Sequence, residues 1–223
     1  ISSFTKAGTG KWVMKGVNTY SGLTTVSGGT LNVGDGTDAL ASLGTNTVSL
    51  AAGTTLNFNH NNVVSVDNAI SGSGQLNKLG GNTLNLTGVN SYTGATGVGS
   101  AGGVVFTNNT APTTVGFTGS GTVTIEPSTT FASAGISNYT FANTISGFTW
   151  GKSSNVADLT IASPISIAGP ISLYGGNINL NANVSSSLAN AALLFKASGD
   201  ITQASNVAVG SNGGDITLWA NSD

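Results

Sequence analysis

Eight carboxylates and one imidazole carry most of the acid–base chemistry open to this chain of 223 residues: Asp35, Asp38, Asp67, Glu126, Asp158, Asp200, Asp215, Asp223 and His60. Cysteine is absent, which excludes a disulfide framework and a thiolate metal site. A glycoside hydrolase needs two or three carboxylates held together, and a lyase needs a strong base beside acidic metal ligands. Only Asp35 and Asp38 are close in sequence, within Gly34-Asp35-Gly36-Thr37-Asp38. Oxygen ligands around a glycine turn suit Ca²⁺, so this pair is the weak metal candidate, and a solvated turn is the simpler reading of it. Asp200 and Asp215 recur in a repeated phrase and could stack at equivalent corners, which a repeated corner residue explains equally well. His60 lies in the polar stretch Phe58-Asn59-His60-Asn61-Asn62 with no acidic or serine partner nearby in sequence. No Gly-x-Ser-x-Gly, P-loop or Ca²⁺-roll nonapeptide occurs. The expectation is a protein that is not an enzyme and uses no cofactor.

Aromatic rings are the other residues suited to recognition. Trp12, Tyr20, Tyr92, Trp150, Tyr174 and Trp219 offer flat amphipathic surfaces for sugars or partner proteins. Tyr20 and Tyr92 occupy one position of an internal repeat and read as turn caps. Trp150, Tyr174 and Trp219 remain as contact-surface candidates.

Composition narrows the classes. Charged residues are 6 %, against about a quarter in ordinary soluble domains. Net charge is −2 with no arginine, which excludes the basic footprint of a nucleic-acid binder. Scarce Glu and Lys exclude an all-α surface. Hydrophobic residues reach 39 % and mean hydropathy is +0.18, so charge-driven disorder is excluded too. The longest apolar run, Ala191 to Phe195, is far short of a membrane span. The opening Ile1-Ser2-Ser3 has no basic then apolar leader. With the close at Ala220-Asn221-Ser222-Asp223, it reads as a segment of something longer.

The elements that must position these residues follow from a three-letter word: apolar, small polar, apolar. It occurs as Leu31-Asn32-Val33, Val48-Ser49-Leu50, Leu56-Asn57-Phe58, Val64-Ser65-Val66, Leu84-Asn85-Leu86 and Val123-Thr124-Ile125. It returns as Leu159-Thr160-Ile161, Ile165-Ser166-Ile167, Ile171-Ser172-Leu173 and Ile178-Asn179-Leu180. Period-two alternation makes each word a short strand with one dry and one wet face. Starts six to eight residues apart are too close for a β-sandwich. Three such steps give roughly 20 residues, one coil of a solenoid. The chain is therefore expected to be all-β: a right-handed parallel β-helix with glycine-rich corners, whose eleven coils would make a rod of roughly 50 Å. Ser185 to Ala197 also permits a helical excursion, since Leu188, Ala191, Ala192 and Phe195 fall at i, i+3, i+4 and i+7. Residues 1–150 and 151–223 differ in repeat wording, as two domains or one continuous one.

A longer repeat overlies the short one. Gly16-Val17-Asn18-Thr19-Tyr20-Ser21-Gly22 returns as Gly88-Val89-Asn90-Ser91-Tyr92-Thr93-Gly94, and Asn68-Ala69-Ile70-Ser71-Gly72 as Asn143-Thr144-Ile145-Ser146-Gly147. Near-equal long periods point to duplication of a block of three or four coils. Gly72-Ser73-Gly74-Gln75-Leu76-Asn77-Lys78-Leu79-Gly80, followed by Thr83-Leu84-Asn85-Leu86 and Asn90-Ser91-Tyr92-Thr93-Gly94, resembles the autotransporter-associated β-strand repeat, also called the passenger-associated transport repeat. A first copy is read at Gly8-Thr9-Gly10, Lys15-Gly16, Asn18 to Gly22 and Gly29-Thr30-Leu31-Asn32-Val33, with its middle strand missing. In the second copy Gly103-Val104-Val105-Phe106 replaces the closing Gly-Thr-Leu phrase. Residues 159–223 resemble instead the Gly-Asp-Ile-Thr-Leu repeats of very large bacterial adhesins.

The resemblance implies a passenger, secreted from or tethered to the outer surface of a Gram-negative cell. There the repeat is a β-helical stalk without catalytic residues, and Gly16, Asn18, Tyr20, Gly22, Gly88, Asn90, Tyr92 and Gly94 are structural. Expected partners are glycans, other surfaces or neighbouring copies in a fibre, with no nucleic acid. Two alternatives are an ice-binding solenoid, suggested by Thr113-Thr114 and Thr122-Val123-Thr124, and a polysaccharide-active β-helix.

Overall fold

Short apolar–polar–apolar strands separated by tight corners cannot each bury a face alone, so they stack coil upon coil. In the structure, a computed structural model, residues 2–107, 110–127, 130–131, 134–135 and 138–221 are described. All regular elements among them are strands, and each strand pairing is parallel to a neighbour one coil away, in a β-solenoid of about 21 residues per turn. All ten words fall on strands.

The chain forms two compact units, residues 1–106 with 110–121, and residues 107–109 with 122–223. The sequence boundary at 150/151 lies inside the second unit. In the first unit, Phe4–Lys6, Thr24–Val26, Val48–Leu50 and Ile70–Gly72 stack as one face. Lys11–Met14, Thr30–Val33, Thr55–Asn59, Gln75–Leu79, Thr96–Val98 and Val115–Gly119 stack as the second. Val64–Val66, Asn82–Leu86 and Gly102–Phe106 form the third. Words starting at 48, 56 and 64 are thus the three faces of one coil. Inward residues make columns such as Leu31–Leu56–Leu76 and Val33–Phe58, all essentially solvent-free. Each such side chain contributes roughly 1.5–3 kcal/mol of burial free energy. Outward, Asn57 Nδ2 donates to Asn32 Oδ1 at 2.8 Å and Asn77 Nδ2 to Asn57 Oδ1 at 2.9 Å, a ladder that ties three coils.

The second unit repeats the plan. Gly147–Trp150, Ile171–Gly175, Leu193–Ala197 and Ile216–Trp219 stack on one face. Leu159–Ile161, Ile178–Leu180 and Ile201–Gln203 stack on another, and Ile165–Ile167, Val184–Ala189 and Val209–Asn212 on the last. The helical option for Ser185–Ala197 is overturned, because this stretch is two strands, Val184–Ala189 and Leu193–Ala197. Between them Asn190 turns at φ 62°. Its apolar spacing came from a corner between two faces: Leu188 is exposed while Phe195 is buried. Backbone partners on both neighbouring coils satisfy amides that a helix would have to bond internally.

The first repeat copy has no missing strand. Phe4–Lys6 and Lys11–Met14 correspond to Gln75–Leu79 and Asn82–Leu86, with Lys6 in the place of Lys78 and Met14 in that of Leu86. The copy therefore begins at Phe4 rather than Gly8. Lys15-Gly16 is the corner after the middle strand, not its replacement.

Candidate functional site

The residues of the long repeat form a backbone-bonding corner. Ser91 N donates to Ile70 O at 2.8 Å and Thr93 N to Gly72 O at 2.9 Å, so Asn90–Gly94 continues the first face above Ile70–Gly72 without being a regular strand. Asn90 Nδ2 donates to Gly88 O at 2.7 Å and Thr110 O at 3.0 Å. Asn18 Nδ2 does likewise to Gly16 O at 3.1 Å and Ser42 O at 2.8 Å. Tyr92 is fully buried and its hydroxyl shares a 2.6 Å hydrogen bond with buried Thr96. Tyr20, half-buried, makes the same bond to Thr24 at 2.7 Å and stacks on Phe4. Gly94 is where coils touch: a Cβ there would lie 2.1 Å from Gly74 O, and at Gly22 and Gly88 it would also strike backbone. Gly16 differs, with open space around it and φ +64°.

Two lysines close another corner, the one before the middle strand of each copy. Lys78 is solvent-free, and its ammonium donates to the carbonyls of His60 at 3.1 Å, Gly80 at 3.2 Å and Gly81 at 2.8 Å, and to that of Leu79. Burial pushes its pKa below the ordinary lysine range, while the ring of carbonyl oxygens favours the charged form. Lys6 repeats the arrangement on Ala7, Gly8 and Gly28 at 2.8–2.9 Å. Inward lysines break the apolar word, so alternation alone hides both strands. The Leu-x-Lys-x-Gly phrase was the signal for Lys78.

The carboxylates serve turns. Asp35 Oδ1 accepts from Thr37 N, Thr37 Oγ1 and Asp38 N, and Asp35 Oδ2 pairs with Lys15. The Lys15 ammonium, then Thr37, holds the Asp35 carboxyl well below the usual range, and Asp35 raises the Lys15 pKa in return. Asp38 Oδ2 accepts from Gly16 N at 2.6 Å and its Oδ1 from Leu40 N at 2.9 Å; the Gly16 N–H is the main cause of its lowered pKa. The candidate Ca²⁺ pair is thus spent on N–H and hydroxyl donors and one ammonium. Among the described residues no three of His, Cys, Asp and Glu come together. Asp200 and Asp215 do not share a corner, since Ile201 stacks on Ile178 and Ile216 on Leu193. Asp158 is the one that shares with Asp200: Asn177 between them donates to Asp158 Oδ1 and accepts from Asp200 N. Asp223 lies outside the described residues. His60, in the polar stretch, is buried, with Nε2 2.9 Å from Ala41 O.

The aromatic candidates separate. Trp150 is 2 % exposed, stacks in the inward column with Leu173 and packs edge-on against Phe131, so it belongs to the core and not to a contact surface. Tyr174 and Trp219 share a column two coils apart: Tyr174 pairs in register with Lys196, and Lys196 with Trp219, all facing outward. The Lys196 ammonium lies 4.4 Å from the Trp219 ring centroid. Sequence reasoning named the two rings but not the lysine between them.

Parallel three-faced coils, with lysine corners and asparagine–tyrosine corners in the first unit, define this protein as a β-solenoid that contains passenger-type repeats. The family model of the passenger-associated transport repeat matches residues 4–33 and 76–106, the two stretches whose strands correspond one for one. No curated protein and no solved structure matches the chain. Repeat and fold together fit a solenoidal segment of an autotransporter passenger, and a surface or extracellular location accords with that.

Proposed function

We propose that this chain is an adhesive segment of a bacterial passenger, holding contact surfaces beyond the outer membrane of a Gram-negative cell. The observation that carries the reading is the pair of repeat copies at 4–33 and 76–106 within a parallel solenoid. A stacked aliphatic core makes a scaffold that needs no cofactor, and many outward positions, such as Ser49, Asn57, Asn85, Thr160 and Asn179, are uncharged and suited to hydrogen bonding. The low net charge of −2 allows close approach to other surfaces. Bound partners are then glycans or other surfaces, and the role is mechanical rather than catalytic.

The test is display of residues 1–223 on bacteria, fused to a secretion leader and an autotransporter barrel. Protease accessibility on intact cells checks the display. Retention on glycan-coated surfaces, against cells showing an unrelated solenoid, checks the adhesion. Accessible chain with retention is expected. Accessible chain with no excess retention overturns the adhesive role and leaves the scaffold.

A further inference from the structure

We propose that the outward column Tyr174–Lys196–Trp219 binds a polysaccharide whose repeating disaccharide carries one carboxylate, an inference that rests on the adhesive reading above. Strand pairing fixes these residues on three successive coils of the second unit. At roughly 4.8 Å per coil, the backbone positions that carry the two rings are about 10 Å apart, the advance of an extended polysaccharide over one disaccharide. Tyrosine and tryptophan present apolar faces with a polar edge, the surface that C–H faces of pyranose rings stack upon. Along the same strands Ser172, Leu194 and Thr217 form a parallel outward column, placing hydroxyls of Ser172 and Thr217 beside the rings.

The lysine gives the site its charge preference. Lys196 has no carboxylate partner among the described residues. Its ammonium instead rests on the Trp219 ring, which holds it at the sheet surface through a cation–π contact. One cation between two stacking rings matches one carboxylate per disaccharide. A densely sulfated polymer is a poorer fit, because the chain carries net charge −2 and offers one lysine here.

Purified chain is titrated with hyaluronan, whose carboxylates alternate, with heparin, and with neutral dextran, by affinity electrophoresis at two salt concentrations. Hyaluronan binding is expected, weakened about tenfold or more by Trp219→Ala or Tyr174→Ala. Lys196→Gln is expected to weaken it roughly fivefold and remove its salt dependence, and Lys196→Arg to restore both. Far-UV circular dichroism on each variant checks that the coils persist. Preference for heparin or dextran overturns the ligand class while leaving adhesion intact. Hyaluronan binding that all three loss variants leave unchanged overturns the site. No binding to any polymer overturns this site, and retention of displayed cells on other surfaces then decides the adhesive reading separately.

Discussion

Lys6 and Lys78 hold the same position in two repeat copies, yet their strands lie on different faces of the first unit. Phe4–Lys6 and Thr24–Val26 are on the first face, and their counterparts Gln75–Leu79 and Thr96–Val98 on the second. Lys11–Met14 and Thr30–Val33 on the second face likewise recur on the third. At about 21 residues per turn, a separation from 6 to 78 is three turns plus one face. Equivalent residues therefore never stack on one another, and each copy must satisfy its polar groups largely from its own chain. The lysines do so, drawing most carbonyls from the corner that follows them: Ala7 and Gly8, or Leu79, Gly80 and Gly81. The Tyr–Thr hydroxyl pairs are four residues apart within each copy for the same reason.

Replacing Lys78 by Met keeps the stem's packing but strips the donor from those carbonyls. Unsatisfied buried acceptors cost about 1–3 kcal/mol. Lys78→Met should therefore lower the urea midpoint by an amount equivalent to about 2–3 kcal/mol, read at constant slope. An unchanged midpoint would mean that the carbonyls do not need the ammonium.

Much of the fold was legible because burial follows parity. Leu56 and Phe58 alternate with Asn57, and Leu84 and Leu86 with Asn85, so a period of two gave both strand and facing. Strands with polar inward residues were not legible that way. Thr24, Thr96, Lys6 and Lys78 are buried through hydrogen bonds that no hydropathy pattern records. Trp150 misled although Phe148-Thr149-Trp150 is itself an apolar–polar–apolar word: alternation already puts Trp150 on the inward side with Leu173, and reading it as a recognition ring overlooks that. The Lys196 contact depends on register between coils, which spacing along one strand cannot supply.

Tyr92→Phe removes one hydroxyl and leaves the Thr96 hydroxyl without that partner in a solvent-free site. The expected loss is about 1–2 kcal/mol. Tyr20→Phe should cost less, since Tyr20 is half-buried and water can take the place of its hydroxyl. Equal losses in matched denaturation curves would contradict the difference in burial.

Gly94→Ala places a methyl 2.1 Å from Gly74 O, so two coils must separate. A loss of about 3 kcal/mol or more is expected, at the upper end of overpacking penalties. At Gly16 nothing obstructs a methyl, and only φ +64° opposes it. Gly16→Ala should cost about 1 kcal/mol. The order of the two thermal midpoints tests which constraint acts at each corner.

Acid should loosen the Gly34–Asp38 turn. Asp35 and Asp38 have folded-state pKa values below the ordinary 3.8. The unfolded chain therefore binds protons first, and their contribution is fully present above pH 3.8 and fades as pH falls through the folded values. Asp35→Asn with Asp38→Asn should flatten the fall of thermal midpoint between pH 4 and about pH 2 relative to the parent chain. A parallel fall in both proteins would place the acid sensitivity elsewhere.

Register can be tested covalently because the chain has no cysteine. Asn57 and Asn77 are direct partners on adjacent coils, with their side chains hydrogen-bonded at 2.9 Å. Strand spacing of about 4.8 Å lies within the Cα range of a disulfide. Asn57→Cys with Asn77→Cys should oxidise readily, while Ser49→Cys with Asn77→Cys should not, because Ser49 is on the first face. Closing the 20-residue loop should stabilise the oxidised protein by about 3 kcal/mol. Thiol titration after mild oxidation reads the outcome directly. Cross-linking of the Ser49 pair instead of the Asn57 pair would refute the assignment of these strands to different faces.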